Sequence, residues 1–567
     1  MYCKLFFIQR KKIQFFFYSI LSGILLGLGW PTNGNPLFLF IAFIPLLYIE
    51  ECLSHSFFYS KKIIFYIFIF SFFTFLIWNA ISTWWLSYAK RPNGNFALEA
   101  YLIPVFLNAL FMSIVFTFYS WIKKSVENKK IGYIFLICVW ISFEKMHLEW
   151  ELSWPWLNLG NGFSNHIEWI QWYEYTGSLG GSIWIWSVNI GLMNSIIEYQ
   201  KRNNKLNLYK KIFVNIGKIF LLIFISNYIY WKYEEKKDGS VEVFILQPNI
   251  DPYYQKYKIS TDKLILRLKK LIDEKISFGK KTFIIAPETA IPGYGKKISM
   301  ENIEKDRTIS IVRNYLSKFY PKTVFITGVE LYDLYYKWNI SKTATPIFLE
   351  NEKSIRWLDL FNSIIQIDLS GNIKVHHKSK LVPAVETFPY KKILFPILGD
   401  ILLNFGGSVM EHGKSKDPFS DIFIHPYFGI KVVPIICYES IFGEYVSKFI
   451  KKNNADFIVI ITNDGWWGRS QGYKQHLYYA RLRAIENRKY IARSSNTGVS
   501  CFINEKGEII SSIPYGKKGI LSDKVSINRK QTFYTKNGDY LAKISLLTAI
   551  IIFIYTIIFR FYIKKKI

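Results

Sequence analysis

A cysteine, a glutamate and a lysine in this sequence each stand close to the end of a predicted strand, where a side chain can take part in chemistry. Cys437 lies in PIICYES (434–440), between an apolar run and a helical pattern. The partial positive charge of a helix N-terminus favours a thiolate, so this thiol is a candidate nucleophile. A cysteine at a strand end is also a common buried apolar residue, and this motif alone leaves both interpretations open.

Glu288 and Lys378 are the other two candidates, and each also has a simpler explanation. Glu288 follows the apolar run TFIIA (282–286). Partial burial there would make its carboxylate a general base, while an N-cap or a surface charge is the simpler interpretation. Lys378 lies in HHKSKLVP (376–383). Its ammonium would stabilise an oxyanion beside a thiolate, whereas a lysine among basic neighbours is usually a solvated surface residue.

His376 and His377 offer an alternative to the glutamate, because a cysteine nucleophile is often paired with a histidine base. Cys501 stands in the middle of the predicted strand GVSCFI (498–503), where packing is its expected role. The five cysteines form no CxxC pair, so the sequence predicts neither a zinc site nor a disulfide framework. No GxGxxG or P-loop motif suggests a nucleotide cofactor.

The elements that must position these residues divide the 567-residue chain into a membrane part and a globular part. Half of the residues are hydrophobic and 18% are aromatic, which excludes a disordered chain. Apolar runs of roughly 17–25 residues are long enough to cross a bilayer. We predict a membrane domain with seven helices over 1–235, a soluble domain over 236–543 and a last span with a basic tail over 544–567. The eight spans are expected near residues 13–29, 36–50, 63–86, 98–121, 131–147, 180–198, 212–231 and 544–562.

Charge placement predicts how the chain crosses the membrane. With a cytoplasmic N-terminus, the inner segments carry nineteen lysines and arginines, whereas the three short outer loops carry only Lys90, Arg91 and Lys145. Positive residues concentrate on the cytoplasmic side, so the soluble domain is expected outside the cytoplasm. The formal charge of +30 suggests binding to an anionic membrane or to nucleic acid. The chain is also rich in residues encoded by AT-rich codons, lysine among them, and this bias alone would raise the charge.

The outer segment 148–176 contains five tryptophans and no lysine or arginine. It is either an aromatic belt at the membrane surface or a platform beside a site that takes lipid.

The soluble domain alternates apolar β-rich runs with helical patterns. Continuous apolar strands with intervening helices indicate an α/β fold with buried sheets. DLSGN (368–372) is a predicted hairpin turn. Strands are expected at 241–247, 282–286, 323–327, 363–368, 430–436, 456–462 and 498–503, and helices at 261–277, 301–319, 441–452 and 472–489.

Five motifs in a fixed order between residues 285 and 500 resemble the nitrilase, or carbon–nitrogen hydrolase, superfamily. They are APETAI around Glu288, HHKSKLVP around Lys378, IICYES around Cys437, ITNDGWWG (461–468) and QHLYYARLRAIENR (475–488) with the SSNTGVS (494–500) that follows. The resemblance implies a Glu–Lys–Cys catalytic set and a four-layer αββα sandwich.

The combination of this domain with eight spans resembles the apolipoprotein N-acyltransferase family, the membrane-embedded branch that completes bacterial lipoprotein maturation. SWPWLNLG (153–160) before the sixth span belongs to the same resemblance. It implies a multi-pass protein of the bacterial inner membrane with a periplasmic catalytic domain. It also implies a phospholipid acyl donor, typically phosphatidylethanolamine, and an apolipoprotein acceptor with a free α-amino group on its diacylglyceryl-cysteine. No cofactor, metal or nucleic-acid partner is implied.

The resemblance assigns a role to each motif residue. Cys437 would form a thioester, Glu288 would be the general base, and Lys378 would stabilise the oxyanion together with the backbone N–H of Tyr438. Glu386 matches a fourth carboxylate near the site, and Tyr438 and Glu439 match positions flanking the cysteine. One departure concerns LQPNIDPYYQKY (246–257). Many members carry a tryptophan there, whereas this chain offers only tyrosines, of which Tyr257 is the nearest.

Two other functions compete with an acyltransferase. A membrane-tethered amidase of the same superfamily would use water as its acceptor. A transporter with a degenerate outer domain would not need an intact Glu–Lys–Cys set, and it would carry more charge inside the membrane.

The apolar stretch 390–413 has two interpretations. It is either a helix in the domain core or a lid that dips into the membrane, with Phe395, Leu398 and Leu402 on its apolar face.

Overall fold

Long apolar helices form the N-terminal part of the protein, and two β-sheets form most of the rest. The computed structural model describes residues 2–54, 61–91, 94–235, 238–336, 340–349, 354–393, 396 and 411–566. Most of the stretch 390–413, including Phe395, Leu398 and Leu402, lies outside the described residues. The N-terminal helices are α1 (Tyr2–Leu28), α2 (Ile44–Ser54), α3 (Lys61–Ser82), α4 (Glu99–Ser125), α5 (Lys129–His147), α6 (Tyr173–Thr176), α7 (Ser178–Arg202) and α8 (Lys205–Lys232).

Six of the eight predicted spans are helices long and apolar enough to cross a membrane within the described ranges, which makes this a multi-pass membrane protein. They cover Lys11–Leu28, Pro36–Ser54, Lys62–Ser82, Glu99–Ser125, Lys205–Lys232 and Tyr540–Phe561. The other two predicted spans are also helices, α5 and α7, but they are less apolar. Both pack inside the bundle, where buried Glu144 on α5 and Asn189 on α7 find hydrogen-bond partners instead of facing lipid.

The globular part contains, in the described segments, two sheets that lie face to face. The first has the strand order β14-β1-β2-β4-β6-β5, with β3 beside β4 and β7 beside β6. Its strands are β1 (Ser240–Gln247), β2 (Thr282–Ile285), β3 (Ile298–Ser299), β4 (Thr323–Tyr335), β5 (Thr345–Leu349), β6 (Ser354–Ile367), β7 (Lys374–His377) and β14 (Gly519–Ser526).

The second sheet has the order β13-β12-β11-β10-β9-β8. Its strands are β8 (Phe423–Ile424), β9 (Lys431–Ile436), β10 (Phe457–Thr462), β11 (Ile491–Ser495), β12 (Ser500–Ile503) and β13 (Ile509–Ile513). At the centre of each sheet the strands run parallel: β1, β2 and β4 in the first, and β9, β10 and β11 in the second. Parallel strands need crossovers, and helices supply them.

Successive side chains of each strand point to opposite faces of its sheet, so alternate residues pack into different layers. Val243, Ile245 and Ile285 of the first sheet pack against Val432 and Val459 of the second, forming the core between the sheets. The intervening residues face outward onto helices, which completes the predicted four-layer αββα sandwich. Helices α9 (Thr261–Asp273) and α10 (Arg307–Phe319) cover the first sheet, and α11 (Gly443–Asn453) and α12 (Gln471–Asn487) cover the second.

The helical layer over the second sheet continues into the membrane bundle. Val446 of α11 and Leu477 of α12 belong to the same apolar cluster as Trp78 and Trp140 of the membrane helices. Trp156 of the tryptophan-rich outer segment is buried in this cluster as well. A short helix α13 (Phe533–Asn537) then leads into α14 (Tyr540–Lys566), which packs on α5. The globular part and the membrane helices therefore share one apolar core.

Candidate active site

The ends of the central parallel strands bring the candidate residues to one edge of the sandwich. Glu288 follows β2 in the first sheet, and Cys437 follows β9 in the second. Lys378 comes directly after β7, which pairs with β6, and its backbone N–H donates to the carbonyl of Asn362 at 2.8 Å. The two sheets face each other, so the three side chains meet in the gap between them.

Cys437 occupies a turn that few residue types adopt. Its φ of +47° lies in the left-handed region, at the junction of β9 and a 3₁₀ helix (Cys437–Ile441). Such a conformation is strained for a residue with a Cβ and persists only where the surrounding contacts enforce it. The thiol is buried. Burial and the nearby carboxylate of Glu288 raise the pKa of Cys437, whereas the charge of Lys378 lowers it.

Lys378 and two carboxylates form a buried, hydrogen-bonded cluster. The Lys378 ammonium donates to Glu386 Oε1 at 2.8 Å and lies 3.5 Å from Glu288 Oε1. The amide of Asn362 bridges the carboxylates, donating to Glu288 Oε1 at 2.8 Å and to Glu386 Oε1 at 3.1 Å. The Val382 N–H donates to the second oxygen of Glu386 at 2.9 Å. Both carboxylates are therefore fixed by neutral donors as well as by the lysine.

The charges of this cluster stabilise each other against burial. Burial opposes the charge on Lys378, but Glu386 and Glu288 outweigh it and raise the pKa of the ammonium. In the same way burial opposes ionisation of Glu386, and the charge of Lys378 overcomes it and lowers the pKa of Glu386. Lys378 is thus a fixed cation next to the thiol, which is the requirement for an oxyanion partner.

Glu439 ties the cysteine turn to the lysine loop. One of its oxygens accepts from the Ile436 N–H at 2.9 Å, and the other accepts from the Ser379 N–H at 2.7 Å and from the Tyr445 hydroxyl at 2.9 Å. Ile436 precedes the cysteine and Ser379 follows the lysine. Glu439 is fully buried, so its carboxylate sets the distance between the two loops rather than meeting a substrate.

His376 contacts two carboxylates, one of them Glu439, and is not placed to act as a base for the thiol. Its Nδ1 lies 3.1 Å from Asp421 Oδ2, and its Nε2 lies 3.6 Å from Glu439 Oε2. Burial alone would lower the pKa of His376, but the two carboxylates raise it to about 9. His377 has a different partner, the hydroxyl of Ser363 at 2.7 Å.

A third histidine, His476 on α12, is the one that lies beside the cysteine. Its Nδ1 donates to Asp464 Oδ1 at 2.9 Å, and its Nε2 lies 3.1 Å from the backbone carbonyl oxygen of Cys437. Arg493 of β11 donates to the other oxygen of Asp464 at 2.5 Å. We did not single out these three residues from the sequence, although all lie in or between the last motifs of the resemblance. The signal available in the sequence was the presence of a histidine, an aspartate and an arginine among apolar or small residues.

These groups also contain the one metal-ligand cluster found among the described residues. Ligand atoms of Cys437, Asp464 and His476 lie within 4.8 Å of one another. Asp464 already accepts hydrogen bonds from Arg493, His476 and Thr462, and the arginine charge opposes a cation at this position. The donor set therefore fits a hydrogen-bond network better than a metal centre.

Membrane-domain loops form one wall of this region. The Tyr438 hydroxyl donates to the carbonyl of Ser153 at 2.8 Å, and the Tyr479 hydroxyl donates to the carbonyl of Trp156 at 2.9 Å. Lys380, two residues after Lys378, donates to Glu149 at 3.2 Å. The tryptophan-rich segment thus packs directly against Tyr438, the residue that follows Cys437.

Gln475 makes four hydrogen bonds to the membrane part of the protein. Its side-chain oxygen accepts from the indole N–H of Trp85 at 3.0 Å and of Trp156 at 2.7 Å. Its side-chain nitrogen donates to the carbonyls of Pro31 at 2.7 Å and Ser82 at 3.2 Å. The amide is fully buried and all four of its hydrogen-bonding positions are used.

Two cavities border the site. A small one of about 20 Å³ contacts Glu288 and is lined by Lys256, Asn463 and Asn496 among others. A larger cleft of about 440 Å³ lies between the loop of the membrane part at Tyr88 and the loop that follows β1. Tyr257 lines neither cavity and is more than half exposed, whereas the neighbouring Lys256 lines the small cavity beside Glu288 and donates to the hydroxyl of Thr289 at 2.8 Å.

Comparisons with known proteins cover both parts of the chain. The family model of the carbon-nitrogen hydrolases matches residues 243–533, and that of the apolipoprotein N-acyltransferase N-terminal domain matches residues 22–191. The first match includes every candidate site residue described above.

Proteins that are similar to this chain over most of their length carry the name apolipoprotein N-acyltransferase. The protein of Chlorobaculum tepidum is 26% identical over 95% of this chain and 96% of its own length. That of Wigglesworthia glossinidia brevipalpis is 27% identical over 79% of this chain and 84% of its own. That of Thermotoga maritima is 23% identical over 94% and 92%. The similarity therefore extends through the membrane helices as well as the sandwich.

Proposed function

The chain belongs to the carbon–nitrogen hydrolase family, and on this premise we propose that it is an N-acyltransferase of lipoprotein maturation. It would move an acyl chain from a phospholipid to the N-terminal amino group of the diacylglyceryl-cysteine of apolipoproteins. The observation that carries the proposal is the match to relatives of that name over 95% of the chain, membrane helices included. A family member that hydrolyses small soluble amides has no need for a membrane part matched in this way.

In the first step Cys437 would attack the ester carbonyl of the phospholipid. Its S–H proton passes to Glu288, and the sulfur forms a bond to the carbonyl carbon. The negative charge then on the carbonyl oxygen is stabilised by the Lys378 ammonium and the backbone N–H of Tyr438. When the tetrahedral intermediate collapses, the C–O bond breaks and the leaving alkoxide takes the proton from Glu288. The products are a thioester on Cys437 and a free lysophospholipid.

In the second step the acceptor amine would attack the thioester. Glu288 removes a proton from the attacking nitrogen, the same two donors hold the oxyanion, and the C–S bond breaks. The amide product leaves, and Glu288 returns its proton to the thiolate. Glu288 suits this double use because Glu386 takes the closer hydrogen bond from Lys378.

Amine and water compete for the thioester, and the surroundings favour the amine. Cys437, Lys378 and Glu288 are all buried, and a wall of membrane-domain loops covers the adjoining residue Tyr438. A membrane-bound amidase remains the second candidate, because the same three side chains would serve a water acceptor. Phosphatidylethanolamine as donor and a periplasmic position of the sandwich in the inner membrane are parts of the proposal.

Intact-mass analysis of the purified protein tests the first step. The full chain in detergent is incubated with dipalmitoyl phosphatidylethanolamine, and a palmitoyl adduct is expected on Cys437. Cys437→Ala should lose the adduct. Cys501→Ala is the matched control, because Cys501 is a buried cysteine of β12 without a part in the mechanism.

Addition of a diacylglyceryl-peptide with a free amino terminus tests the second step. The adduct should disappear and the peptide should gain one acyl chain. A wild-type protein that forms no lipid adduct, or that releases fatty acid at the same rate with and without the peptide, would be an amidase or hydrolase instead.

A further inference from the structure

His476 lies beneath the cysteine turn and is held in a single orientation. The residue is buried on α12, which covers the outer face of the second sheet. Its Nδ1 donates to Asp464, which Arg493 and the hydroxyl of Thr462 fix from two further directions. Burial opposes ionisation of Asp464, but Arg493 and His476 hold the pKa of this carboxyl well below its usual range. The imidazole is therefore anchored to a permanent charge.

The opposite edge of the same ring meets the backbone of the nucleophile. His476 Nε2 lies 3.1 Å from the carbonyl oxygen of Cys437 and 3.0 Å from the hydroxyl oxygen of Ser440. The Ser440 hydroxyl donates to the same carbonyl at 2.7 Å. With a proton on Nε2, the imidazole and the Ser440 hydroxyl both donate to one carbonyl oxygen, at a residue whose left-handed φ of +47° needs support from its surroundings.

The direction of this carbonyl determines the direction of the N–H group in the same peptide bond, that of Tyr438. A trans peptide is planar, so the carbonyl of Cys437 and the N–H of Tyr438 point in opposite directions. The carbonyl points toward α12, and the N–H therefore points away from it. Glu288 and Lys378 belong to the first sheet, which lies on the side of the second sheet opposite to α12.

We propose that His476 is a positioning residue, which aims the backbone N–H of Tyr438 at the oxyanion by holding the carbonyl of Cys437. The inference rests on the proposed function, because it assumes an acyl intermediate on Cys437. His476 does not take the thiol proton in this assignment. In it both ring nitrogens carry a hydrogen and donate, Nδ1 to Asp464 and Nε2 to the carbonyl of Cys437, so the ring has no lone pair for the thiol proton and Glu288 remains the base.

Two reactions of Cys437 separate this role from that of a base. Acylation by a phospholipid forms an oxyanion and needs the Tyr438 N–H, whereas alkylation by iodoacetamide is a direct displacement that forms none. His476→Leu should slow thioester formation on the order of 10²-fold, the size of the loss when one oxyanion donor is removed. The rate of alkylation of Cys437 and its pH profile should stay within about twofold of the wild type.

Three further variants complete the test. His476→Gln keeps a donor that can reach the carbonyl and should recover acylation at least tenfold over His476→Leu. Ser440→Ala removes the second donor to the same carbonyl and should slow acylation while leaving alkylation unchanged. His425→Leu is the matched control, because His425 is also fully buried but contacts Phe283 and Phe428 away from the cysteine. It should acylate at the wild-type rate per folded molecule.

Each other outcome contradicts the positioning role. If alkylation by iodoacetamide falls together with acylation in His476→Leu, or its pH profile shifts, His476 acts on the thiol itself as a base. If His476→Leu acylates at the wild-type rate, the histidine only fills space. If the wild type forms no thioester at all, the proposed function fails first. Circular dichroism and thermal unfolding of each variant show whether a lost rate reflects a lost fold.

Discussion

The ammonium of Lys378 is closer to Glu386 than to Glu288, at 2.8 Å against 3.5 Å. Two carboxylates near one lysine would be interchangeable by charge alone, and this difference separates them. Glu386 acts as the main counter-ion, held also by the Val382 N–H. Glu288 keeps a weaker contact with the lysine and stays available to accept a proton.

The first prediction concerns Glu386. Glu386→Gln removes the counter-ion charge, so Lys378 should turn fully to Glu288 and weaken it as a proton acceptor. We expect thioester formation to slow by about 10- to 100-fold, in the range of general-base contributions. The measurement is the initial rate of adduct formation by mass spectrometry between pH 6 and 9. Glu411→Gln, on a neighbouring carboxylate that pairs with Lys391, is the control. An unchanged rate in Glu386→Gln would mean that Glu386 has no electrostatic role.

The second prediction concerns the choice of lysine. Lys378→Ala should stop accumulation of the thioester, because loss of an oxyanion partner costs about 3–4 kcal/mol of transition-state stabilisation in comparable sites. Lys380→Ala is the control two residues away, since its ammonium contacts Glu149 and the carbonyl of Leu148 rather than the catalytic carboxylates. The opposite result, with Lys380→Ala inactive and Lys378→Ala normal, would reverse the assignment.

The third prediction is a pH dependence of stability from His376. Its folded pKa of about 9 lies above the value of about 6.5 expected for the unfolded chain. The protonated ring therefore stabilises the fold fully below about pH 6.5, and this contribution is lost as the pH rises through 9. Asp421 and Glu439 face the ring and are the source of the effect, while the neighbouring His377 opposes it only if it becomes charged.

Thermal unfolding in detergent measures this effect. The midpoint of the wild type should fall between pH 6.5 and 9 relative to that of His376→Gln, which lacks the titrating group. Parallel midpoint curves for the two proteins would show that the imidazole does not gain a proton on folding.

The fourth prediction concerns Gln475. Gln475→Leu leaves two indole N–H groups and two carbonyls without their buried partner, and each such loss costs about 1–3 kcal/mol. We expect a large drop in the thermal midpoint and slower acylation per folded molecule. Lys474→Ala, on the exposed face of the same helix, should change neither quantity. Gln475→Leu with wild-type stability would show that the membrane loops do not depend on this amide.

The fifth prediction concerns orientation in the membrane. Reporter fusions after residue 235 should be active in the periplasm, and fusions after residue 566 should be active in the cytoplasm. The reason is the excess of positive residues in the segments that we place inside. A cytoplasmic signal at 235 would separate the sandwich from lipoprotein substrates and would contradict both the span count and the proposed acceptor.

Much of this fold was predictable because its signals are local. The apolar strands at 241–247, 430–436 and 456–462 form β1, β9 and β10, and the sequence DLSGN does form the turn between β6 and β7. β11 was missed because its sequence IARSS is polar, although every residue in it is buried. Its arginine is buried through its pairing with Asp464, a contact between distant residues that periodicity does not reveal.

The candidate site followed the same division. A recognisable short motif singled out each of the predicted site residues, and the structure brings them to one edge of the sandwich: Glu288, Lys378, Cys437, Glu386, Tyr438 and Glu439. His376 and His377 were considered as an alternative base to Glu288, whereas His476, the histidine that lies beside the cysteine, was not singled out. Which imidazole reaches the cysteine depends on α12 crossing over the second sheet, and only the packed structure contains that information.

The contacts of Gln475 have a consequence for how the protein is made. The loops that hold its four partners are synthesised long before Gln475 leaves the ribosome, so they gain this contact only after the globular domain has been made; the partners are Pro31, Ser82, Trp85 and Trp156. The next residue on α12, His476, contacts the backbone of Cys437. A chain whose early helices insert wrongly would therefore also lack a properly formed cysteine turn. Two neighbouring residues of α12, Gln475 and His476, thus link the insertion of the early helices to the conformation of the cysteine turn.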